Sequence, residues 1–130
     1  MKLDHIGIAV HSIEKALRSY QVAMGLEMEG AIDVEEQKVR VAMLPVGESR
    51  IELLEATDPS SPICRFLAKK GEGVHHICFK VEDLDEKLAA FRKAGIQILP
   101  DTDSTGYEGR RIAFLHPRST HGVLIELVED

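Results

Sequence analysis

The sequence predicts an α+β fold in which two paired βαβββ modules form a curved, mainly antiparallel sheet with a central trough and helices outside. Three observations predict it: the chain length, an internal repeat, and the alternation of apolar and polar residues within short segments. The chain has 130 residues, of which 44% are hydrophobic, enough for one domain with its own core. We therefore expect a single domain over residues 1–130. Module one should span about residues 3–57, a linker about 58–73, and module two about 74–130.

The repeat aligns residues 4–10 (DHIGIAV) with residues 75–81 (HHICFKV) at an offset of 71. Each segment continues into a stretch with apolar residues at i, i+4 and i+7, which is typical of an amphipathic helix. Both stretches begin at a residue that can cap a helix N-terminus and end at a glycine. These boundary residues are Ser12 and Asp83 at the starts, and Gly25 and Gly95 at the ends.

The ends of the two halves also match, because RIELLE at residues 50–55 resembles LIELVE at residues 124–129. The offset there is 74, so the second half has gained about three loop residues. Each half has room for two further strands, and we predict a short helix at residues 62–70 in the linker. The predicted additional strands lie at residues 27–29, 39–44, 97–99 and 111–115.

The composition excludes several classes of protein. The net charge is −6, and the sequence shows no basic stripe, which argues against binding to nucleic acid or to an anionic membrane. Apolar runs are too short to cross a bilayer, and the first residues lack a signal or transit pattern, so we expect a cytoplasmic protein. Two cysteines cannot build a disulfide framework, which fits free thiols in a reducing compartment.

Polar residues recur at equivalent positions of the two predicted modules. Strand side chains alternate between faces, so the apolar residues of each first strand share one face, while His5 and His76 point to the other. The same alternation in the last strands puts Glu52 and Glu126 on the face opposite their apolar neighbours. If the modules pair about a pseudo-twofold axis, these two histidines and two glutamates converge in one trough.

Two imidazoles and two carboxylates suit a divalent metal ion with nitrogen and oxygen ligands. The charge of the ion would balance that of the two glutamates, whereas two buried carboxylates without a cation would repel one another. Four protein ligands on a six-coordinate ion leave about two positions open. A single strand histidine is more often structural than a ligand, and the sequence has no short metal motif, so this hypothesis rests on the symmetry of the quartet.

Several segments carry a resemblance to a known family. Residues 4–10, 51–55, 71–77, 116–117 and 122–127 resemble the vicinal oxygen chelate (glyoxalase/bleomycin resistance) superfamily and, within it, the methylmalonyl-CoA epimerases. The resemblance covers nearly the whole chain. It implies a homodimer, a CoA thioester substrate, a role in propionate metabolism, and a divalent ion, most commonly Co²⁺ or Mn²⁺, with Zn²⁺, Ni²⁺ or Mg²⁺ as alternatives. The family's metal ligands match His5, Glu52, His76 and Glu126.

The implied reaction interconverts the (R) and (S) epimers of methylmalonyl-CoA by removal of the α-proton, which gives an enolate that the cation stabilises. Inversion requires one proton-transferring group on each face of the enolate. The resemblance assigns one such role to Glu126, which would be both ligand and base. The family's other glutamate falls on Val41, which cannot transfer a proton, so either another group serves that face or the protein runs a related reaction.

The sequence leaves other functions open. A glyoxalase-type isomerase uses a similar four-ligand set, whereas a ring-cleaving dioxygenase usually binds Fe(II) through two histidines and one carboxylate, so that Glu52 argues against it. A non-catalytic small-molecule binding protein of the same superfamily is a further alternative. Turnover of methylmalonyl-CoA, turnover of a glutathione hemithioacetal, and metal content separate the three.

Overall fold

The computed structural model describes residues 1–100, 104–105 and 109–130, and within them the fold is α+β, as predicted. The described part of the chain divides into two compact units, one of residues His5–His75 and one of Met1–Asp4 with His76–Asp130. The first part of the chain contains β1 (Lys2–Ala9), α1 (Ile13–Leu17), β2 (Gly30–Val34), β3 (Val39–Val46), β4 (Ser49–Ala56) and α2 (Pro62–Lys70). The second part contains β5 (Gly73–Val81), α3 (Leu84–Lys93), β6 (Ser104–Thr105), β7 (Arg111–Leu115) and β8 (Ile125–Glu129).

Strands of the first unit follow the spatial order β2-β3-β4-β1. Strand β1 pairs with β4 in parallel, while β2, β3 and β4 pair antiparallel. The parallel pair is possible because α1, β2 and β3 lie between β1 and β4 in the chain and provide the crossover that parallel neighbours need. In this register Gly7 lies opposite Glu52, and Val41 lies opposite Leu54.

The second unit repeats this arrangement with the spatial order β5-β8-β7-β6. Strand β5 pairs with β8 in parallel, and β7 pairs antiparallel with both β8 and β6. Cys78 lies opposite Glu126 in the parallel pair. Each half therefore has the predicted order of strand, helix and three strands, with its last strand parallel to its first.

Matching caps begin the helices of the two halves. Ser12 precedes α1 and accepts a hydrogen bond from the Lys15 amide at 3.2 Å, and Asp83 precedes α3 and accepts one from the Glu86 amide at 3.0 Å. The first helix continues past Leu17 as a π-helical segment, Arg18–Ala23. Both N-capping predictions are thus confirmed.

Glycines with positive φ end both helical stretches. Gly25 has φ +77° and Gly95 has φ +84°, a region that residues with a Cβ rarely adopt. The amide after each glycine bonds back to a helical carbonyl, from Leu26 to Tyr20 and from Ile96 to Phe91. These bonds satisfy carbonyls that the last helical turn leaves unpaired, which is why a glycine is needed at both positions.

The first-unit sheet packs apolar side chains on both faces. On one face Ala42, Leu44 and Leu53 pack with residues of α1, while on the other Val41 and Leu54 pack with residues of α2. In the second unit the main cluster joins α3 to the sheet, and a smaller cluster lies on the opposite face. The main cluster comprises Val81, Leu84, Leu88, Ala113, Leu115 and Leu127, and the smaller one Cys78, Ile112 and Val128.

Two predicted strands are wrong. Residues 27–29 are exposed and lie just before β2, which starts at Gly30 because Ile32 and Val34 are the side chains that pack there. Residues 97–99 form only an isolated bridge, Ile98 to Leu115, and the two-residue β6 pairs with β7 instead. The predicted helix at residues 62–70 and the predicted strands at 39–44 and 111–115 are confirmed within one or two residues. No helix in the described ranges has the length and hydropathy needed to cross a bilayer.

Candidate functional site

The first unit brings a histidine and a glutamate together on one face of its sheet. His5 is on β1 and Glu52 on β4, and because Gly7 is opposite Glu52, the two side chains share a face with only a glycine between them. The His5 Nε2 atom lies 3.5 Å from Glu52 Oε1. Each side chain is only 6% exposed, so this is a buried polar pair.

The second unit builds the same pair from the equivalent strands. His76 is on β5 and Glu126 is on β8, and His76 Nε2 lies 3.6 Å from Glu126 Oε1. The side chains are 8% and 14% exposed. The repeat that is visible in the sequence therefore extends to the spacing of the polar atoms, since the two distances differ by only 0.1 Å.

A second contact distinguishes the two glutamates. The Arg50 guanidinium donates through Nε to Glu52 Oε2 at 2.8 Å, and the Cys78 thiol donates to Glu126 Oε2 at 3.3 Å. In both glutamates Oε1 therefore faces the imidazole while Oε2 receives a hydrogen bond. The first is a short, charge-assisted bond and the second is a weaker bond from a thiol.

Sequence reasoning missed both contacts. Arg50 lies two residues before Glu52 on the same strand, so strand alternation alone could have placed it on the same face. Alternation does place Cys78 on the face of His76, but a thiol beside a carboxylate has no recognisable sequence pattern. With a side-chain exposure of 19%, Arg50 supplies the positive charge that a buried Glu52 needs. The predicted balance of two glutamate charges against one divalent ion therefore left out the positive charge of Arg50.

The atoms of each pair fit the coordination of a metal ion. Two ligand atoms bound to one ion at about 2.0–2.2 Å, with bond angles of about 90–109°, lie roughly 3.0–3.5 Å apart. The histidine nitrogen and glutamate oxygen of each pair are 3.5 and 3.6 Å apart, so a shift of a few tenths of an ångström suffices. Imidazole nitrogen and carboxylate oxygen together suit borderline divalent ions such as Co²⁺, Zn²⁺ and Mn²⁺.

Val41 offers no proton-transferring group on the same face. It is 5% exposed and packs against Leu54 and Ile63, so it belongs to the apolar cluster beneath α2. By strand register, Glu52 is the only carboxylate that β1–β4 place on the His5 face within residues 5–75, all of which the structure describes. Two further glutamates of this half, Glu35 and Glu36, are exposed in a short 3-10 helix.

Other histidines serve local structure. His75 is half-buried, and its ring meets Phe66 edge-on at 4.9 Å between centroids. Burial lowers the pKa of His75, and the charge of Lys70 adds to the effect. The Nδ1 atom of His116 accepts a hydrogen bond from the Arg118 amide at 3.0 Å, so that side chain caps a 3-10 turn.

The sequence of this chain is similar to those of known proteins. A profile of the glyoxalase/bleomycin resistance protein/dioxygenase superfamily matches residues 4–114. The uncharacterized protein YqjC of Bacillus subtilis is 44% identical over 128 residues, which cover 98% of this chain and 91% of that protein. The human mitochondrial methylmalonyl-CoA epimerase is 35% identical over 127 residues, which cover 97% of this chain and 72% of the human protein.

A solved structure agrees with this similarity. A variant of the Streptomyces coelicolor methylmalonyl-CoA epimerase, in complex with 2-nitronate-propionyl-CoA, superposes with a TM-score of 0.90 at 43% sequence identity. The superposition covers 100% of this chain and 94% of the Streptomyces chain. The fold that the sequence predicts is thus the fold of an enzyme that binds a CoA thioester analogue.

Proposed function

The chain belongs to the glyoxalase/bleomycin resistance protein/dioxygenase superfamily, and we propose that it is a metal-dependent isomerase that interconverts the two epimers of methylmalonyl-CoA. The similarity to methylmalonyl-CoA epimerases over nearly the whole chain supports the substrate, a CoA thioester. The observation that carries the proposal is the pair of equivalent, buried histidine–glutamate contacts, one built by each repeat.

We assign one divalent ion, Co²⁺ or Mn²⁺, to His5, Glu52, His76 and Glu126. Support comes from the donor set and from the ligand-like spacing within each pair. When bound, such an ion stabilises the negative charge that develops on the substrate oxygens as the α-proton leaves.

Proton transfer at the α-carbon falls to Glu126 in this proposal. The Glu126 side chain is 14% exposed, the most accessible of the four proposed ligands, and its Oε2 accepts a hydrogen bond from the Cys78 thiol. A carboxylate in that setting can accept the proton and return it to the carbon. The reaction then gives an enolate and a protonated Glu126, with no net gain or loss of protons over the cycle.

Inversion needs a second proton-transferring group on the opposite face of the enolate. The carboxylate that the family resemblance implies for this role is absent, because the position is occupied by the buried Val41. Glu52 is the only carboxylate that β1–β4 place on the His5 face within residues 5–75, and both of its oxygens already have partners, His5 and Arg50. We therefore infer that the second group is not a carboxylate of these four strands.

The proposal also covers oligomeric state, metabolic role and location in the cell. We propose a homodimer that acts in propionate metabolism in the cytoplasm. The family resemblance supports the first two, and the two free cysteines, Cys64 and Cys78, are consistent with a reducing compartment.

Assays of one protein preparation with two substrates test the proposed function directly. The Co²⁺-loaded protein is assayed with (R)-methylmalonyl-CoA and, separately, with the hemithioacetal of glutathione and methylglyoxal. We expect epimerisation of the first and no isomerisation of the second. The reverse result would assign a glyoxalase-type reaction, and a metal-loaded protein inactive on both would favour a binding protein.

A further inference from the structure

Arg50 and Glu52 form a partly buried ion pair beside the proposed metal ligand His5. The Arg50 Nε atom donates to Glu52 Oε2 at 2.8 Å, while Glu52 Oε1 lies 3.5 Å from His5 Nε2. The side chains of Arg50 and Glu52 are 19% and 6% exposed, so water competes little for this bond. The two oxygens of Glu52 therefore have different partners.

A carboxylate can bind a metal ion through one oxygen or through both. Binding through both would require Glu52 Oε2 to turn from Arg50 toward the ion, which would break a charge-assisted bond and leave a half-buried guanidinium without that partner. Rotation of a strand side chain packed at 6% exposure also has little room. Both considerations favour binding through Oε1 alone.

We propose that Arg50 is a positioning residue that restricts Glu52 to a single metal-binding oxygen. The inference rests on the metal site proposed above but not on the identity of the substrate. With Glu52 restricted in this way, a six-coordinate ion keeps about two positions for small oxygen ligands instead of one. Arg50 thereby preserves the two adjacent positions that a chelating substrate needs.

The number of water molecules on a bound Mn²⁺ ion measures this effect without any substrate. Water-proton relaxation enhancement by protein-bound Mn²⁺ scales with the number of coordinated waters. We expect Arg50→Met to bind Mn²⁺ and to lower the relaxation enhancement by roughly half, because the freed Glu52 oxygen replaces one of about two waters. Arg50→Lys, which keeps a cationic donor, should stay near the wild-type value.

A second variant tests the inference even if Arg50→Met fails to fold. A glutamine side chain offers a metal one oxygen, so Glu52→Gln should leave the relaxation enhancement unchanged, and Arg50→Met should have no further effect in that background. Arg40→Met is the matched control, because Arg40 makes a bond of the same 2.8 Å length to Asp33 on an exposed part of the same sheet.

The outcomes separate this inference from the proposed function. Mn²⁺ binding with an unchanged enhancement in Arg50→Met, or a rise in Glu52→Gln as a water fills a second vacated position, overturns the role of Arg50. Wild-type protein that binds no Mn²⁺ overturns the metal site itself. A Co²⁺-loaded crystal structure of Arg50→Met should place both Glu52 oxygens within about 2.0–2.3 Å of the ion.

Discussion

Each proposed glutamate ligand has two oxygens with separate tasks. Oε1 of Glu52 and Oε1 of Glu126 face imidazoles at 3.5 and 3.6 Å, and Oε2 of each accepts a hydrogen bond from a different kind of donor. Equivalent positions of a repeat can therefore diverge in function through their neighbours alone. A guanidinium donates to one carboxylate and a thiol donates to the other.

Replacement of Glu126 by glutamine tests its role in proton transfer. The amide keeps the shape and one ligand oxygen but cannot accept the α-proton, so we expect epimerisation to fall by about 10²–10⁴-fold. Deuterium incorporation at the α-carbon in heavy water, followed by mass spectrometry, measures the same step. Incorporation that persists at the wild-type rate in Glu126→Gln, with metal bound, would rule out this role.

The two histidines should contribute equally to metal binding. Because His5 and His76 occupy equivalent positions at equivalent distances from their glutamates, His5→Ala and His76→Ala should weaken Co²⁺ binding to a similar extent. The loss should exceed the roughly 10–100-fold that removal of a hydrogen bond to a metal ligand costs. Calorimetric titration with Co²⁺ measures both, with His116→Ala as the control. Full occupancy in either variant would contradict a shared four-residue site.

Strand alternation was sufficient to predict that His5 shares a face with Glu52, and His76 with Glu126, because a residue's face depends only on its parity along the strand. Arg50 was missed because the sequence does not show which side chains on a shared face of the sheet form a hydrogen bond. Cys78 was missed because a buried thiol is usually an inert core residue. The contacts that distinguish the two halves could therefore be identified only from the atomic positions.

At the scale of secondary-structure elements, the last strand of each half carries two glutamates with opposite orientations. Glu52 and Glu126 point to the histidine face, whereas Glu55 and Glu129 point toward the helices. Glu55 Oε1 accepts a hydrogen bond from the Ile13 amide at 2.7 Å, and Glu129 Oε2 accepts one from the Leu84 amide at 2.9 Å. These amides open α1 and α3, where negative charge is stabilising.

Removal of these carboxylates should destabilise the fold without changing the metal site. We expect Glu55→Ala and Glu129→Ala each to lower the free energy of unfolding by about 1–2 kcal/mol, because an amide at a helix N-terminus loses its charged acceptor. Urea denaturation measures the loss, and Glu35→Ala, at an exposed position, is the control. Unchanged stability in both variants, or a loss of Co²⁺ binding, would contradict this division of roles.

Elements with strong side-chain periodicity were predicted well, and short edge elements were not. The sequence predicted α2 at residues 62–70 because a capping serine, a proline and apolar residues coincide there. The edge strand β2 was misplaced because only Ile32 and Val34 pack, and β6 has just two residues. Such elements are defined by pairing with a neighbour rather than by their own sequence pattern.

At the scale of the whole chain, the proposed metal site rests on duplication rather than on a short motif. One half supplies a histidine and a glutamate, and the repeat supplies an equivalent pair, so the ligand set follows from the repeat. The pairing of each histidine with its glutamate was therefore more predictable than several element boundaries.

Metal binding should also stabilise the fold. A ligand that binds only the folded protein adds about 2.7 kcal/mol to the free energy of unfolding at 100 times its Kd. We expect Co²⁺ at that concentration to raise the thermal midpoint of the wild type, and EDTA to reverse the rise. The His5→Ala variant should show no comparable shift, whereas a shift of equal size in that variant would mean that Co²⁺ stabilises the fold elsewhere.

A crystal structure of the Co²⁺-loaded protein, with anomalous data at the cobalt edge, shows whether one ion binds both histidine–glutamate pairs. We expect a single strong anomalous peak per chain, within about 2.0–2.3 Å of ligand atoms from His5, Glu52, His76 and Glu126 together. A peak that contacts the pair of only one repeat, or two separate peaks of which each belongs to one pair, would contradict a site shared between the two halves.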